Sequence, residues 1–216
     1  MRRAAGVLLV WSLAASAGGR AQEPKALALP APELERPVLR ELRQRRTTRD
    51  FSPKALPMQE VSNLLWAAFG VNRPESGGRT APSARNKQEI DVYVALAAGA
   101  YRYDAPGHAL KPILARDIRS ETGVQQFVAQ VPVDLIFVAD LTKTGDGPEQ
   151  ERLFYAAADA GFIAENVYLY GASRGLAVCV RGAINKAALA KTLGLRPEQR
   201  IILAQSVGYP APPAAK

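Results

Sequence analysis

Apolar residues recur with helical spacing in four segments of this chain. The spacing predicts helices over Val38–Arg46, Pro57–Phe69, Glu149–Arg174 and Asn185–Leu193. Proline is tolerated in a first helical turn, as at Pro57. Glycine is common directly after a helix, and it follows the second and fourth predicted helices. All four segments therefore have the period of helices, and the second and fourth also have typical helix-end residues.

Five shorter apolar segments have the alternation and composition of β-strands. They are Val92–Leu96, Ala100–Tyr103, Val133–Ala139, Leu176–Val180 and Arg200–Val207. The third is apolar at nearly every position, which is typical of a strand covered on both faces, so we place it centrally in the sheet. Residues 72–82 are rich in Gly and Pro and predict a loop. Because helices and strands interleave without a repeat, we predict one α/β or α+β domain.

The predicted helix Glu149–Arg174 is apolar over much of its circumference. One face carries Leu153, Ala157, Ala160, Ala164, Val167 and Gly171. The apolar surface extends further through Phe154, Ala158, Phe162 and Leu169. Such a helix must be covered on several sides. In a chain of this size, a second subunit is the expected source of part of that cover.

The composition of the 216-residue chain limits its chemistry. With 48% hydrophobic and 22% charged residues, it has the balance of a globular domain rather than of a disordered chain. One cysteine excludes an internal disulfide and a cysteine-rich zinc module. One histidine excludes a multi-histidine metal centre within one chain. We therefore expect no metal site.

Residues 1–21 have the pattern of a secretory signal peptide, in which two arginines precede an uncharged, largely apolar run and small residues offer cleavage points. The run is short for a bilayer-spanning helix, so an uncleaved anchor is the less favoured alternative. We expect an exported, periplasmic protein without stable membrane insertion after cleavage. Loss of this segment lowers the formal charge from +8 to +5, a mild excess that does not argue for nucleic-acid binding. Residues 22–37 predict a linker or arm, 38–210 the domain and 211–216 a tail.

Candidate chemistry begins at Arg45–Phe51, directly after the first predicted helix. The first five of these residues are three arginines and two threonines. Three guanidinium groups so close together repel one another unless an anion lies among them, and they match phosphate oxygens in bidentate geometry. A basic helix end that complements the helix dipole is the alternative interpretation.

Three further segments place polar side chains or free backbone groups at the ends of elements. Thr80–Gln88 contains Ser83, a good N-cap, and the amides of Asn86 and Gln88, which can bond to a heterocycle. An ordinary capped turn explains Ser83 equally well. Ala177–Gly182 runs from a strand into a glycine turn, where backbone N–H groups can meet a ligand. Gly208-Tyr209-Pro210 follows the last strand.

Other reactive residue types have simpler interpretations. Cys179 lies between two valines and is expected to be a buried small hydrophobe, and His108 to be a turn residue, rather than a nucleophilic pair. Asp134 and Asp140 flank a buried strand and are expected to be its solvated ends.

Taken in order, the four segments resemble the nitroreductase-like family of FMN-dependent oxidoreductases. Arg45–Phe51 is similar to an Arg-Arg-Ser-x-Arg-x-Phe motif, with Thr47 for Ser, and Pro82–Gln88 to Pro-Ser-Ala-x-Asn-x-Gln. Smaller matches are Asp159-Ala160-Gly161, Gly175-Leu176, Leu193-Gly194-Leu195 and Gly208-Tyr209-Pro210. The resemblance covers residues 39–210 and, through residues 101–104 and 108–110, leans towards the SagB-type dehydrogenase branch. It implies an α+β class, three-layer α/β/α fold with a central mixed sheet and a long buried helix at a dimer interface.

The resemblance also implies a homodimer with FMN at two sites built from both chains. The phosphate, ribityl chain and pyrimidine edge would be held by Arg45, Arg46, Thr47 and Arg49. The isoalloxazine ring would be approached from the partner subunit by Pro82, Ser83, Ala84, Asn86 and Gln88. The backbone around Arg181 and Gly182 would face N5. Two electrons would pass from NAD(P)H or another donor to a nitroaromatic, a quinone or a similar small-molecule acceptor. Because the flavin carries this chemistry, no catalytic side chain is expected.

Several features depart from the family pattern. Residues 211–216 contain one lysine where similar proteins often have several basic residues, and Arg85 stands where a small residue is common. The Lys-Tyr pair expected of azoline-forming dehydrogenases has no match, which disfavours azoline oxidation. Export would also separate the protein from cytoplasmic NAD(P)H. The alternative is therefore an exported flavin-binding or interaction module without NAD(P)H turnover.

Overall fold

The computed structural model describes Glu35 and residues 37–212. The predicted signal peptide, most of the predicted arm and residues 213–216 lie outside the described residues. The expectations for those segments therefore remain predictions.

Four α-helices occur among the described residues, and each corresponds to a predicted one. They are α1 (Pro37–Gln44), α2 (Met58–Phe69), α3 (Glu149–Arg174) and α4 (Lys186–Leu193). Gly175 and Gly194 end α3 and α4 at φ values of 64° and 63°, in the left-handed region that favours glycine. The Asn185 side chain accepts a hydrogen bond from the Ala188 N–H and caps the start of α4.

Eight strands occur in the same part of the chain, in two sheets. They are β1 (Val71–Arg73), β2 (Gly78–Arg79), β3 (Ile90–Leu96), β4 (Gly99–Asp104), β5 (Ala109–Leu114), β6 (Val133–Asp140), β7 (Ala177–Arg181) and β8 (Gln199–Gly208). β1 and β2 form a small hairpin that begins one residue before the segment predicted to be a loop. β5, at one edge of the main sheet, was not predicted.

The main sheet has the order β5-β4-β3-β6-β8-β7, and all of its neighbouring strands are antiparallel. The prediction of a mixed sheet is therefore wrong. A strand–helix–strand connection such as β6-α3-β7 favours parallel neighbours. Here β8, the last strand, lies between β6 and β7 and is antiparallel to both, so the two parallel strands never pair.

The sheet lies between two helical layers. On one face, Leu135 and Phe137 of β6 belong to a core cluster with α2 and α3. On the other face, Ile136 and Val138 belong to a second cluster with Leu189 of α4. All eight residues of β6 are buried, which confirms its predicted central position. The predicted three-layer α/β/α arrangement is thus confirmed.

Two predictions about the ends of β6 are wrong, because Asp134 and Asp140 are buried rather than solvated. Asp134 is 0% exposed and pairs with Arg181, with 2.7 Å between its Oδ1 and the guanidinium Nη2. Asp140 is 5% exposed, and its Oδ1 accepts a hydrogen bond from the Thr142 hydroxyl. Because β3 and β8 flank β6 along nearly its whole length, both ends of the strand lie within the sheet.

Helix α3 has one buried face and one exposed apolar face. Its buried residues include Ile163, Val167 and Gly171. A Cβ at Gly171 would lie 2.4 Å from Val178 Cγ2, so glycine lets α3 approach β7 closely. On the opposite side, Phe154 is 69% and Phe162 48% exposed. This chain alone therefore leaves uncovered the face for which the sequence predicted a second subunit.

The structure also bears on membrane-spanning helices and on metal sites. Within residues 35 and 37–212, no helix combines the length and apolarity needed to cross a membrane. In the same residues, no group of three or more His, Cys, Asp or Glu is arranged to hold a metal ion. Cys179 is buried in β7 and His108 lies in the turn before β5, the positions expected of them.

Candidate functional site

The arginine-rich segment after α1 is held between β7 and the C-terminal end of β8 by backbone hydrogen bonds. The Thr48 N–H donates to the Val178 carbonyl at 2.9 Å. The Ser52 N–H donates to the Tyr209 carbonyl, and the Ala211 N–H to the Asp50 carbonyl, each at 2.9 Å. These bonds fix the backbone of residues 48–52 without using any arginine side chain.

The same segment lines a cavity of about 600 Å³, which we call the arginine cavity. Its wall includes Arg45, Arg46, Thr48, Tyr168, Val178 and Pro210. Nearby, Arg40 and Arg43 pair with Glu41 and Glu35. No such ion pair joins Arg45 or Arg46 to a carboxylate in the described part of the chain. Two positive charges therefore border the cavity without a carboxylate partner among residues 35 and 37–212, an arrangement that favours an anionic ligand.

Tyr168 of α3 connects this segment to β7. Its hydroxyl accepts a hydrogen bond from the Val180 N–H at 3.0 Å and bonds to Thr47 Oγ1 at 2.9 Å. The Arg45 guanidinium lies over its ring, 5.2 Å from the ring centroid. One buried tyrosine thus fixes the edge strand, a threonine and an arginine relative to one another.

We expect Tyr168→Phe to lower the free energy of unfolding by about 1–3 kcal/mol, because the Val180 N–H loses its acceptor. Urea unfolding measures the effect. Tyr155→Phe is the matched control, since Tyr155 is 42% exposed on the same helix and should change stability by less than about 0.5 kcal/mol. Equal effects of the two substitutions would contradict a bridging role for Tyr168.

The other predicted residues of this segment lie at the margin of the arginine cavity. Thr47 is exposed and its hydroxyl already bonds to Tyr168. Arg49 is exposed and is not part of the cavity wall. Burial raises the pKa of the Cys179 thiol, and the positive charge of Arg49 opposes that rise. Arg49 therefore projects near β7, beside the cavity rather than within its wall.

The second predicted segment, Pro82–Gln88, lies on the opposite side of α3. The Ala84 N–H donates to Asp159 Oδ2 at 2.8 Å, whereas Thr47 bonds to Tyr168 of the same helix. Nine helical residues separate the two anchor points, which corresponds to roughly 13 Å along the axis and about 180° around it. Within one chain, the two predicted halves of the site are therefore apart.

Pro82–Gln88 is tied together by its own side chains. Ser83 Oγ accepts a hydrogen bond from the Gln88 N–H at 2.9 Å. The Gln88 amide donates to Asn86 Oδ1 at 3.0 Å, and its oxygen accepts from Arg79 Nε at 2.9 Å. The amides predicted to contact a heterocycle are thus bonded to each other, and the segment has a defined shape in the isolated chain.

The predicted contact at Arg181 and Gly182 concerns the backbone and stays a prediction, whereas the Arg181 side chain has a structural role of its own. The Arg181 side chain is 4% exposed, and its guanidinium bonds to Asp134, Ser206 and Thr122. Burial raises the pKa of Asp134 to about 6, and the nearby Arg181 charge opposes this rise. The Arg181 side chain is therefore part of a structural ion pair and cannot also hold a cofactor. Gly182, directly after β7, is exposed.

Sequence reasoning missed two residues that shape the two halves of the site, Glu89 and Tyr168. Thr48 and Asp159 lay in segments that the sequence singled out, but neither was given a role at the site. Tyr168 gave no usable signal, because its role depends on Thr47, which is 121 residues away along the chain.

Comparison with known proteins identifies the class to which this fold and site belong. The profile described as the Nitroreductase family matches residues 42–209. A nitroreductase structure from Ralstonia eutropha is 46% identical, with a TM-score of 0.78, and the match covers 86% of this chain and 89% of that one. MJ1384 of Methanocaldococcus jannaschii, named as a nitroreductase, is 29% identical over 167 residues, covering 70% of this chain and 84% of that protein.

Two more distant structures share the fold. A nitroreductase in complex with FMN from Desulfovibrio desulfuricans is 24% identical, with a TM-score of 0.60 and coverage of 84% of this chain and 91% of that one. The E. coli microcin synthetase McbBCD complex is 18% identical, with a TM-score of 0.68 and coverage of 91% and 80%. This chain belongs to the nitroreductase family, and its place in the SagB-type branch remains a prediction.

Proposed function

We propose that this protein is an FMN-dependent oxidoreductase that passes two electrons from a nicotinamide or another donor to an electron-poor acceptor such as a nitroaromatic or a quinone. The main support is the arginine cavity, where Arg45 and Arg46 bring positive charge without a described partner. Membership of the nitroreductase family and the FMN-bound relative of the same fold support a flavin as the ligand.

The residues around the arginine cavity fit the phosphate end of a flavin nucleotide. Arg45 and Arg46 would pair with the phosphate and Thr48 would donate a hydrogen bond to it. Ala172 of α3 and Gly175, the residue directly after the helix, also border the cavity, where the helix C-terminus brings partial negative charge. Arg45 and Arg46 must therefore supply the electrostatic attraction for the phosphate. Bound FMN supplies the two-electron chemistry, and this chain binds and orients it.

We further propose that a complete site requires two copies of the chain. Pro82–Gln88 and the arginine cavity lie on opposite sides of α3, so a second copy would bring its Pro82–Gln88 segment to the first copy's cavity. The exposed apolar face of α3, with Phe154 and Phe162, is the surface that such a copy would cover.

Export through the predicted signal peptide would make the electron donor a molecule other than cytoplasmic NAD(P)H.

We expect Phe154→Asp to increase the monomer fraction at a given protein concentration, because a charge would be buried at the proposed contact. Analytical ultracentrifugation measures the monomer fraction. Val124→Asp is the control, since Val124 is 68% exposed but lies outside α3. A wild-type protein that is monomeric at micromolar concentration, or an equal shift in both variants, would count against the α3 interface.

The function is tested by the absorption spectrum of the freshly purified protein, followed by anaerobic additions. We expect flavin absorption that bleaches with NADH, NADPH or another donor and returns with a nitroaromatic or a quinone. Bleaching by dithionite but by no biological donor would favour a flavin-binding module without turnover. A colourless protein that takes up no FMN would overturn the proposal and favour an interaction protein on the same fold.

A further inference from the structure

Two buried carboxyl groups adjoin the segment Ala84–Gln88. Asp159 of α3 is 2% exposed and accepts the Ala84 N–H at 2.8 Å. Glu89, the residue directly after the segment, is 1% exposed, and the Asp159 carboxyl group is close enough to help raise its pKa. Since two carboxylates only accept hydrogen bonds, a contact between them becomes attractive when one of the pair carries a proton.

Glu89 is the member of the pair whose surroundings favour the protonated form. Neither of its oxygens meets a donor among the described residues. Burial is the main cause that raises the pKa of Glu89, to about 7, and Asp159 adds to the rise. Lys143 opposes it, but its ammonium group bonds to Asp91 at 2.9 Å. The other charged and titratable residues nearby line the adjoining cavity of about 330 Å³; they are Arg85, Lys87, Asp146, Glu151, Arg152 and Tyr155.

The backbone of the segment Ala84–Gln88 is strained. Arg85, Asn86 and Gln88 have φ values of 53°, 52° and 49°, in the left-handed region that residues other than glycine rarely adopt. The Asp159 bond to the Ala84 N–H fixes the start of this segment, and Glu89 follows its end. A change in the charge of the pair would therefore act on the segment at both ends.

We propose that Glu89 and Asp159 are positioning residues that share one proton and thereby hold Ala84–Gln88 in the shape that contacts the flavin. This inference rests on the proposed function, because it takes the segment as part of the FMN site. When the shared proton is lost, two negative charges face each other in a buried position. Asp159 is then repelled from the site where it accepts the Ala84 N–H, and flavin affinity falls.

The test is the dissociation constant for FMN between pH 7 and pH 9, measured by quenching of flavin fluorescence. The FMN phosphate, with a second ionisation near pH 6, stays doubly charged through this range. For wild type we expect the dissociation constant to rise by up to tenfold per pH unit. For Glu89→Gln we expect a flat profile, because the Gln amide donates to Asp159 at every pH. At pH 9 the variant should then bind FMN more tightly than wild type, a gain that misfolding cannot produce.

Two further variants complete the experiment. Asp159→Asn should also flatten the profile, since its amide can accept the Ala84 N–H and donate to an ionised Glu89. Glu151→Gln makes the same chemical change at an exposed position on the adjoining cavity and should follow wild type. Parallel profiles for wild type and Glu89→Gln would overturn this inference alone. A wild-type protein that binds no FMN at pH 7 would overturn the proposed function and this inference with it.

Discussion

Replacing Arg181 by Met is expected to lower the free energy of unfolding by about 3–5 kcal/mol, the cost of leaving a buried charge without its partner. The side chains of Arg181 and Asp134 are 2% and 0% exposed, so solvent screens the pair very little. The guanidinium also bonds to the Thr122 carbonyl at 2.8 Å and to Ser206 Oγ at 3.1 Å. Urea unfolding at pH 7 measures the loss.

Two controls separate the loss of the ion pair from a general packing defect. The loss in Arg181→Met should be smaller at pH 5 than at pH 8, because an unpaired Asp134 can take up a proton at the lower pH. The double variant Arg181→Met/Asp134→Leu should recover much of the stability, since it removes both charges. A loss below about 1 kcal/mol at pH 7, or a pH-independent loss, would contradict the assignment of this pair as structural.

Arg45→Ala is expected to weaken FMN binding by about 1.5–3 kcal/mol, the scale of a hydrogen bond to a charged group. Arg45 is half-buried against Tyr168, so its guanidinium is held at the cavity before any ligand arrives. Fluorescence titration should show the dissociation constant rising by about 10-fold to 150-fold. Because the lost contact is to the phosphate, riboflavin, which lacks it, should lose much less affinity.

Arg40→Ala is the matched control for the arginine prediction. Arg40 is exposed on α1, pairs with Glu41 at 3.2 Å and does not line the arginine cavity. This substitution should leave both flavins unaffected within about twofold. An unchanged FMN affinity in Arg45→Ala, or an equal loss of affinity for FMN and riboflavin, would contradict a contact between Arg45 and the phosphate.

Much of the fold could be predicted because its elements depend on local patterns. The four helices follow from apolar spacing and helix-end residues, and β6 from an uninterrupted apolar run. The hairpin of β1 and β2 was missed because its strands are only three and two residues long. β5 was missed because Lys111 and Pro112 interrupt its pattern, which an edge strand tolerates since one side of its backbone needs no partner.

The errors and omissions at the site have a common physical origin in long-range contacts. Asp134 was expected to be solvated, but Arg181, 47 residues later, forms an ion pair with it inside the protein. Asp159 and Ala84 are 75 residues apart and meet through one hydrogen bond. No local pattern encodes such pairings, because they depend on how helices and strands pack.

By itself, the amino-acid sequence determined the helices, the central strand, the resemblance to a flavin-dependent family and the concentration of positive charge after α1. These depend on residue type and spacing along the chain, which folding does not alter. Only the tertiary structure decided that Arg45 and Arg46 border a cavity, that Arg181 is used internally and that Pro82–Gln88 lies on the far side of α3. Those outcomes depend on burial and on the geometry of a helix. Packing brings together residues that are distant in sequence, and helix α3 separates the two predicted parts of the flavin site.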